Sequence, residues 1–398
     1  MSAHTIDNLL PDDALLRFRD RAPHYDDANV FFAEDFAELR ELGYLSAPVP
    51  EALGGAGLGL EQLVLAQRRL AAHAPATALG VNMHLVWVQV ARFLHDRAEG
   101  QAIGDGDDQG GSALEWVLRE AAAGEVFAFG ISEAGNDAVL MDASSLAEPS
   151  DDGGYAVSGT KIFTTLSPVW TRLGVHAKTP SGQLVFGFVR RDEADNANLA
   201  QGSIAHPGVW NPLGMRATQS YTTQLDGVRI DAGDVAARIE PFDGSDPLVL
   251  AIFSSFSILT AAVYAGIADR ALEMSAEAAA RAVPGGADGA TRLDDPDVAA
   301  RLTSAVLSHR ESLDTLTLLA RDIDEQRARG DWFLALAAAR NRVTDEARSA
   351  VDTAMRLVGA RGFQADSELA RLYRDVLAGM FHPSSSRALA STVRATLR

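Results

Sequence analysis

The sequence predicts an α+β protein of three consecutive domains: a helical domain over residues 1–123, a β-barrel or sandwich over 124–243, and a long four-helix bundle over 244–398. Three observations carry this. Apolar residues recur at helical spacing in the first third, the period drops to two after Gly124, and long uninterrupted helical patterns return after Asp246.

In the first block, residues 34–42 (EDFAELREL) and 60–72 (LEQLVLAQRRLAA) place apolar side chains three and four positions apart, as an amphipathic helix requires. PVPEALGGAGLG (48–59) between them is a Pro/Gly loop, and GQAIGDGDDQGGS (100–112) is a polar, glycine-rich connection. In the second block, Tyr155, Val157 and Gly159 alternate with Ala156, Ser158 and Thr160. The runs 173–179, 183–191 and 220–230 read as further strands separated by Asp-Gly and Gly-Gly turns. In the third block, Asp246-Pro247 and Asp295-Pro296 each pair an N-cap with a proline in the first turn. Helices are expected from there to about Val283, where Pro284-Gly285-Gly286 follows, and to about Gly330. A third is expected from Trp332 to Val358, ahead of Gly359.

Bulk properties narrow the function classes. The chain has 398 residues, a formal net charge of −19 and no cysteine. Disulfides, thiolate nucleophiles and Cys-ligated metals are excluded, and nucleic acid and anionic membranes are disfavoured partners. No apolar run of about 20 residues and no secretion-type leader is evident, so a cytoplasmic enzyme is expected. The only two lysines are Lys161 and Lys178. Phosphate would therefore be held by arginines, backbone N–H groups and hydroxyls. The nine histidines form no HxxxH or HExxH pair, so no metal site is expected. GGAGLG (54–59) lacks the strand and βαβ context of a dinucleotide fingerprint.

Five segments, in this order, resemble the acyl-CoA dehydrogenase superfamily: ELGYLSAPVPEALGGAGLG (41–59), FAFGISEAGND (127–137), YAVSGTKIFTTLSP (155–168), PLGMRATQSYTTQLDGVRI (212–230) and RLVGARGFQADSELARLYRDVLAGMF (356–381). The resemblance implies the acyl-CoA dehydrogenase fold and a flavin. Phe129, Ile131 and Ser132 would line its pyrimidine edge, Phe163 would pack on the ring, and Thr165 would supply a hydroxyl near N5. FAD is the implied cofactor, with FMN or a diffusible reduced flavin as alternatives. For the pyrophosphate end, the family's RxxFG motif is absent from ARAVPGGADGATRLDD (280–295), where Arg281 is a possible stand-in. The turn at Arg356, Gly359, Ala360 and Gly362 offers close backbone approach. Asn136 and Asp137 would line the substrate pocket, in a turn shorter than the family's.

The chain departs from the family at the catalytic base. The usual glutamate position, counted from Arg374-Asp375, holds Pro383, and the alternative on the long helix, AIFSSFSILTAAVYAG (251–266), contains no acid. The nearest titratable group is His382; His84, in GVNMHLVW (81–88), is a second histidine that the fold could bring toward the flavin. Monooxygenases on this fold carry a histidine in the C-terminal stretch, where it helps stabilise a peroxyflavin. Three functions follow as expectations. The first is a dehydrogenase oxidising the Cα–Cβ bond of an acyl-CoA or acyl-carrier thioester, with hydride transfer to N5. The second is a two-component monooxygenase using reduced flavin and O2 to form a C4a-peroxyflavin and act on a small molecule. The third is an inactive partner subunit. An electron acceptor or flavin reductase is the implied redox partner. A homotetramer or dimer is the implied assembly, supported by the nearly all-apolar helix 248–283. Arg374-Asp375 reads as a structural ion pair.

Overall fold

A computed structural model describes residues 2–105, 114–191, 202–283 and 289–396. Six helices come first: α1 (Ser2–Leu9), α2 (Asp12–Ala28), α3 (Ala33–Glu41), α4 (Leu60–Ala71), α5 (Pro75–Asp105) and α6 (Glu115–Ala122). Eight strands follow: β1 (Phe127–Gly130), β2 (Leu146–Pro149), β3 (Tyr155–Thr164), β4 (Arg172–Lys178), β5 (Leu184–Arg190), β6 (Ser203–Ala205), β7 (Tyr221–Ile230) and β8 (Val235–Ile239). The chain ends in α7 (Pro247–Ala279), α8 (Pro296–Asp324), α9 (Trp332–Val358), α10 (Glu368–Val376) and α11 (Ser386–Thr396).

The start signals work as their chemistry requires. Asp246 accepts from Leu248 N at 2.8 Å and Asp295 from Asp297 N at 2.9 Å, each with a proline in the first helical turn. The stops differ in detail. α7 ends at Ala279; residues 284–288, with the proline and glycines expected to end it, lie outside the described residues. α8 ends at Asp324, short of Gly330, because Gln326 turns left-handed at φ 49°. Asp324 then caps the distant α4, accepting from Leu60 N at 2.7 Å and Glu61 N at 2.9 Å. Within the expected loop 100–112, residues 100–105 are helical and residues 106–112 lie outside the described residues.

The strands form one mixed sheet in the order β6-β7-β3-β2-β4-β5-β8, with β1 parallel to β4. It curls enough for Gly187 on β5 to face Ile230 on the non-adjacent β7; a Cβ at Gly187 would lie 2.9 Å from Ile230. Its concave side holds a small core that includes Val157, Trp170, Val175 and Val228. A second, much larger core is continuous across both helical regions and the outer sheet face. The two helical regions therefore share one interior: α4 and α5 pack on α7 together with α8 and α9. At the α4 crossing, a Cβ on Gly266 would lie 2.3 Å from the Arg68 carbonyl.

Helix α7 is long and apolar enough to cross a membrane, with a mean hydropathy of 2.1 in its most apolar window, of which 89% is buried inside the protein. That corrects the expectation that no such run exists. It also removes the argument from this helix to an oligomer, because the chain's own helices cover it.

Candidate functional site

The site is built where β1 and β3 leave the sheet. Ile162 N donates to Ser132 O at 2.9 Å, fixing the segment after β1 beside the end of β3. Ile131 is buried, and the half-buried Ser132 hydroxyl takes no partner among the described residues. A register shift between Lys161 and Thr164 breaks the β3–β7 ladder. There Phe163 adopts φ +56° and turns its ring outward, 54% exposed, with Trp210 edge-on at 6.3 Å. A left-handed phenylalanine that exposes its ring costs about 1–3 kcal/mol and persists where the surroundings enforce it. Thr165 is buried, and its hydroxyl meets Ser220 Oγ at 2.8 Å.

A second cluster joins β1 to the bundle. Phe129 stacks on Phe256 of α7 at 5.4 Å and 22°, and the Phe256 ring meets His382 edge-on at 6.1 Å. His382 Nε2 lies 2.7 Å from the Tyr264 hydroxyl, two turns further along α7. The segment carrying His382 is held by Arg340, whose guanidinium donates to Ser384 O at 2.5 Å and Gly379 O at 3.4 Å. Burial, helped by Arg340, pushes His382 down to about 3, so the ring is neutral at ordinary pH. Burial likewise drives the Tyr264 phenol well above its usual range. No carboxylate lies on α7 between residues 251 and 266, and Pro383 follows the histidine.

Beneath the strands lies a buried ion pair. Lys161 Nζ is fully buried and sits 2.7 Å from Glu133 Oε1 and 2.6 Å from the His176 carbonyl. Glu133 also accepts from Ser144 N at 2.6 Å, Ser145 N at 2.9 Å and Ser145 Oγ at 2.5 Å. Burial alone would raise the Glu133 carboxyl; Lys161 and these donors outweigh it and hold the group at about 2. Burial pulls Lys161 down to about 8 against the attraction of Glu133, so both groups are charged at neutral pH.

Phe129 and His382 thus share Phe256 as a neighbour, while Ile131, Ser132, Phe163 and Thr165 lie where β1 and β3 leave the sheet. Two expectations are corrected. His84 is not available for catalysis: its Nδ1 accepts from Phe127 N at 3.1 Å, its Nε2 faces Leu45 O at 2.9 Å, and it is fully buried. Asn136 does not line a pocket, because its amide folds back onto Asp142 O at 2.8 Å and Glu133 at 3.1 Å while its oxygen caps Ala138 N. Asp137 is simply exposed on that turn. Arg356 lies exposed on α9, paired with Asp352 at 2.9 Å; Gly359 (φ 73°) and Ala360 follow in a 3-10 turn. Arg374-Asp375 is structural: Arg374 pairs with Asp26 of α2, and Asp375 accepts from Met215 N at 2.5 Å. His95, Asp96 and Glu99 are grouped on α5, but Asp96 is paired with Arg92 and Glu99 is exposed.

Sequence reasoning missed Phe256, Tyr264, Arg340, Thr218 and Ser220. Tyr264 left a signal, as the one phenol in the apolar run 251–266. The other four meet the site through tertiary contacts that no local spacing reveals.

An outward phenylalanine, a hydroxyl with no partner among the described residues and a second hydroxyl at the strand ends, with aromatic residues and a neutral imidazole on the bundle side, are groups that suit a flat apolar ring with a polar edge. The relatives that share this fold make the class that of a flavin-dependent oxidoreductase. The acyl-CoA dehydrogenase N-terminal domain profile matches residues 16–98, and the C-terminal domain profile matches 248–382. L-evernosamine nitrososynthase from Micromonospora sp. is 31% identical over 92% of this chain and 83% of its own. The structure of KijD3 in complex with FMN and dTDP-3-amino-2,3,6-trideoxy-4-keto-3-methyl-D-glucose superposes with a TM-score of 0.78 at 26% identity, covering 100% of this chain and 93% of that one. Butyryl-CoA dehydrogenase from Megasphaera elsdenii shares the fold, with a TM-score of 0.80 at 18% identity and coverage of 100% and 99%. The chain belongs to the acyl-CoA dehydrogenase family.

Proposed function

We propose that this member of the family is a monooxygenase that takes reduced flavin, FMN in preference to FAD, and transfers one oxygen atom of O2 to a nucleophilic nitrogen of a small amine. The observation that carries the reading lies at His382: Pro383 holds the position where a thioester dehydrogenase needs a carboxylate, and the neighbouring titratable group is a neutral imidazole bonded to Tyr264. Abstraction of the weakly acidic α-proton of a thioester calls for a positioned base, and an imidazole held near pKa 3 is a poor one. The relatives add support, since a nitrososynthase is 31% identical and KijD3 is crystallised with FMN and an amino-sugar nucleotide.

In this reading Phe163 covers one face of the ring, Ser132 and Thr165 bond its rim, and Phe129 with Phe256 closes the apolar wall. Bound reduced flavin supplies the two electrons that O2 needs. This reading takes Tyr264 as the donor to Nε2, which puts the His382 proton on Nδ1; Nδ1 has no partner among the described residues and would be the donor to oxygen chemistry at the ring. The balance is one substrate, one O2 and one reduced flavin in; one oxygenated substrate, one water and one oxidised flavin out. The preference for FMN follows from Arg356, which is engaged by Asp352 on the surface, and from the missing RxxFG motif.

The test supplies reduced FMN, isotopically labelled O2 and a panel of primary amines, amino-sugar nucleotides included, with mass spectrometry of the products. Label in an amine product supports the reading. Its absence, together with anaerobic bleaching of bound oxidised flavin by an acyl-CoA, restores the dehydrogenase.

A further inference from the structure

Three hydroxyls stand in a row behind the candidate flavin rim, and the direction of their hydrogen bonds is fixed from one end. Thr218 Oγ1 lies 2.8 Å from the Met215 carbonyl oxygen. A carbonyl only accepts, so the Thr218 proton must point at it; two bare oxygens at that distance would repel. Thr218 Oγ1 also lies 2.8 Å from Ser220 Oγ, and Ser220 Oγ lies 2.8 Å from Thr165 Oγ1. Each hydroxyl has one proton. Thr218 has spent its own on Met215, so Ser220 must donate to Thr218, and Thr165 must donate to Ser220. The other acceptor near Thr165, the Phe163 carbonyl, is 3.5 Å away, beyond the usual O–H···O range.

The row is well enclosed: Thr218 is 1% exposed, Ser220 4% and Thr165 6%. Its anchor is rigid. The Met215 N–H is held by Asp375 of α10, and Gly214 lies so close to α10 that a Cβ would meet the Arg374 carbonyl at 2.2 Å, so the residue whose carbonyl anchors the row is fixed on its N-terminal side. Thr165 thus has no proton left for a ligand and offers one only a lone pair.

We infer that Thr218 and Ser220 are positioning residues that fix Thr165 as a hydrogen-bond acceptor, and that this makes the site select reduced flavin, whose N5 carries a hydrogen, over oxidised flavin, whose N5 carries only a lone pair. The inference rests on the proposed function in one respect, that Thr165 lies at N5. With reduced flavin the contact is a donor meeting an acceptor; with oxidised flavin two acceptors face each other. A chain that takes flavin already reduced and releases it oxidised gains from this polarity at both steps.

The experiment is an anaerobic titration of the full-length protein with dithionite-reduced FMN, beside a titration with oxidised FMN, in wild type, Thr218→Val, Thr218→Ser and Ser220→Ala. One neutral hydrogen bond against one lone-pair clash predicts roughly a tenfold or greater preference for the reduced form in wild type. Thr218→Val and Ser220→Ala each free the Thr165 proton to turn toward the ring, and should shrink that preference by about five- to tenfold. Thr218→Ser keeps the proton and should restore the wild-type ratio. Circular dichroism confirms that each variant is folded, and Ser220→Ala tests the same row if Thr218→Val is not. Flavin binding with equal ratios in wild type, Thr218→Val and Ser220→Ala overturns the inference and leaves the proposed function standing. A Thr218→Ser ratio as low as that of Thr218→Val also overturns it, because shape rather than proton direction would then be the cause. Failure of both flavin forms to bind removes the proposed function and this inference with it.

Discussion

Replacing Glu133 by Gln should be among the most damaging single changes in the β-domain. Lys161 has no solvent exposure; the substitution removes its counter-charge, leaves it only neutral acceptors in the new amide oxygen and the His176 carbonyl, and turns an NH2 group toward the donors of Ser144 or Ser145. Breaking a buried ion pair from one side typically costs 3–5 kcal/mol, because the surviving charge is stranded. The linkage estimate agrees in size. A carboxyl held at about 2 in the fold, against an ordinary 4.5, contributes about 3 kcal/mol at neutral pH. Its sign is that of a depressed acid: the contribution is complete above about pH 4.5 and is lost as pH falls toward 2. Urea unfolding of the Glu133→Gln, Lys161→Met and double variants measures the effect. Lys161→Met should be the milder single change, since Glu133 retains the donors of Ser144 and Ser145. The double variant should be more stable than the sum of the two losses allows, with a coupling of roughly 1–3 kcal/mol. Additive losses, or a Glu133→Gln variant within about 0.5 kcal/mol of wild type, would refute the buried-charge argument.

Other outcomes follow from the same geometry. Stability should fall as pH drops from about 6.5 toward 4. Burial holds His84 and His176 near 4 and His382 near 3, so each binds its proton first in the unfolded chain, at about 2 kcal/mol apiece by pH 5; unfolding free energies measured across that range check it. His382→Ala should lower oxygen transfer by about 10²–10⁴-fold with the fold intact, and Tyr264→Phe by less, read as labelled product per flavin oxidised. Because His382 stays neutral, the wild-type rate should show no step near pH 6.5 arising from that group. Gly174→Ala should displace Trp87, which a Cβ would meet at 2.3 Å, and lower the thermal midpoint by several degrees.

The long helices after Asp246 were legible because their signals are local: the Asp-Pro starts of α7 and α8 need only their own first turns. The strands after Gly124 were legible for the same reason, since alternation is a property of neighbours in sequence. The site was half legible. His382 could be placed by counting from Arg374-Asp375, whose structural role was also readable as a charge pair. The role of His84 could not be read, because what silences it is a carbonyl at Leu45 and an amide at Phe127, and backbone groups carry no sequence signature. Asn136 failed similarly: a turn and a pocket mouth favour the same residue types, and only the fold shows the amide turned inward. The ion pair left an unused clue, since one of only two lysines lies in the middle of a half-buried strand.

A crystal structure of the protein with FMN tests the central claim most directly. The account predicts the isoalloxazine between Phe163 and the Phe256–His382 wall, with N5 within hydrogen-bonding distance of Thr165 Oγ1 and the pyrimidine edge along Ile131 and Ser132. A ring bound elsewhere, or this crevice still filled by protein side chains at saturating FMN, would contradict it.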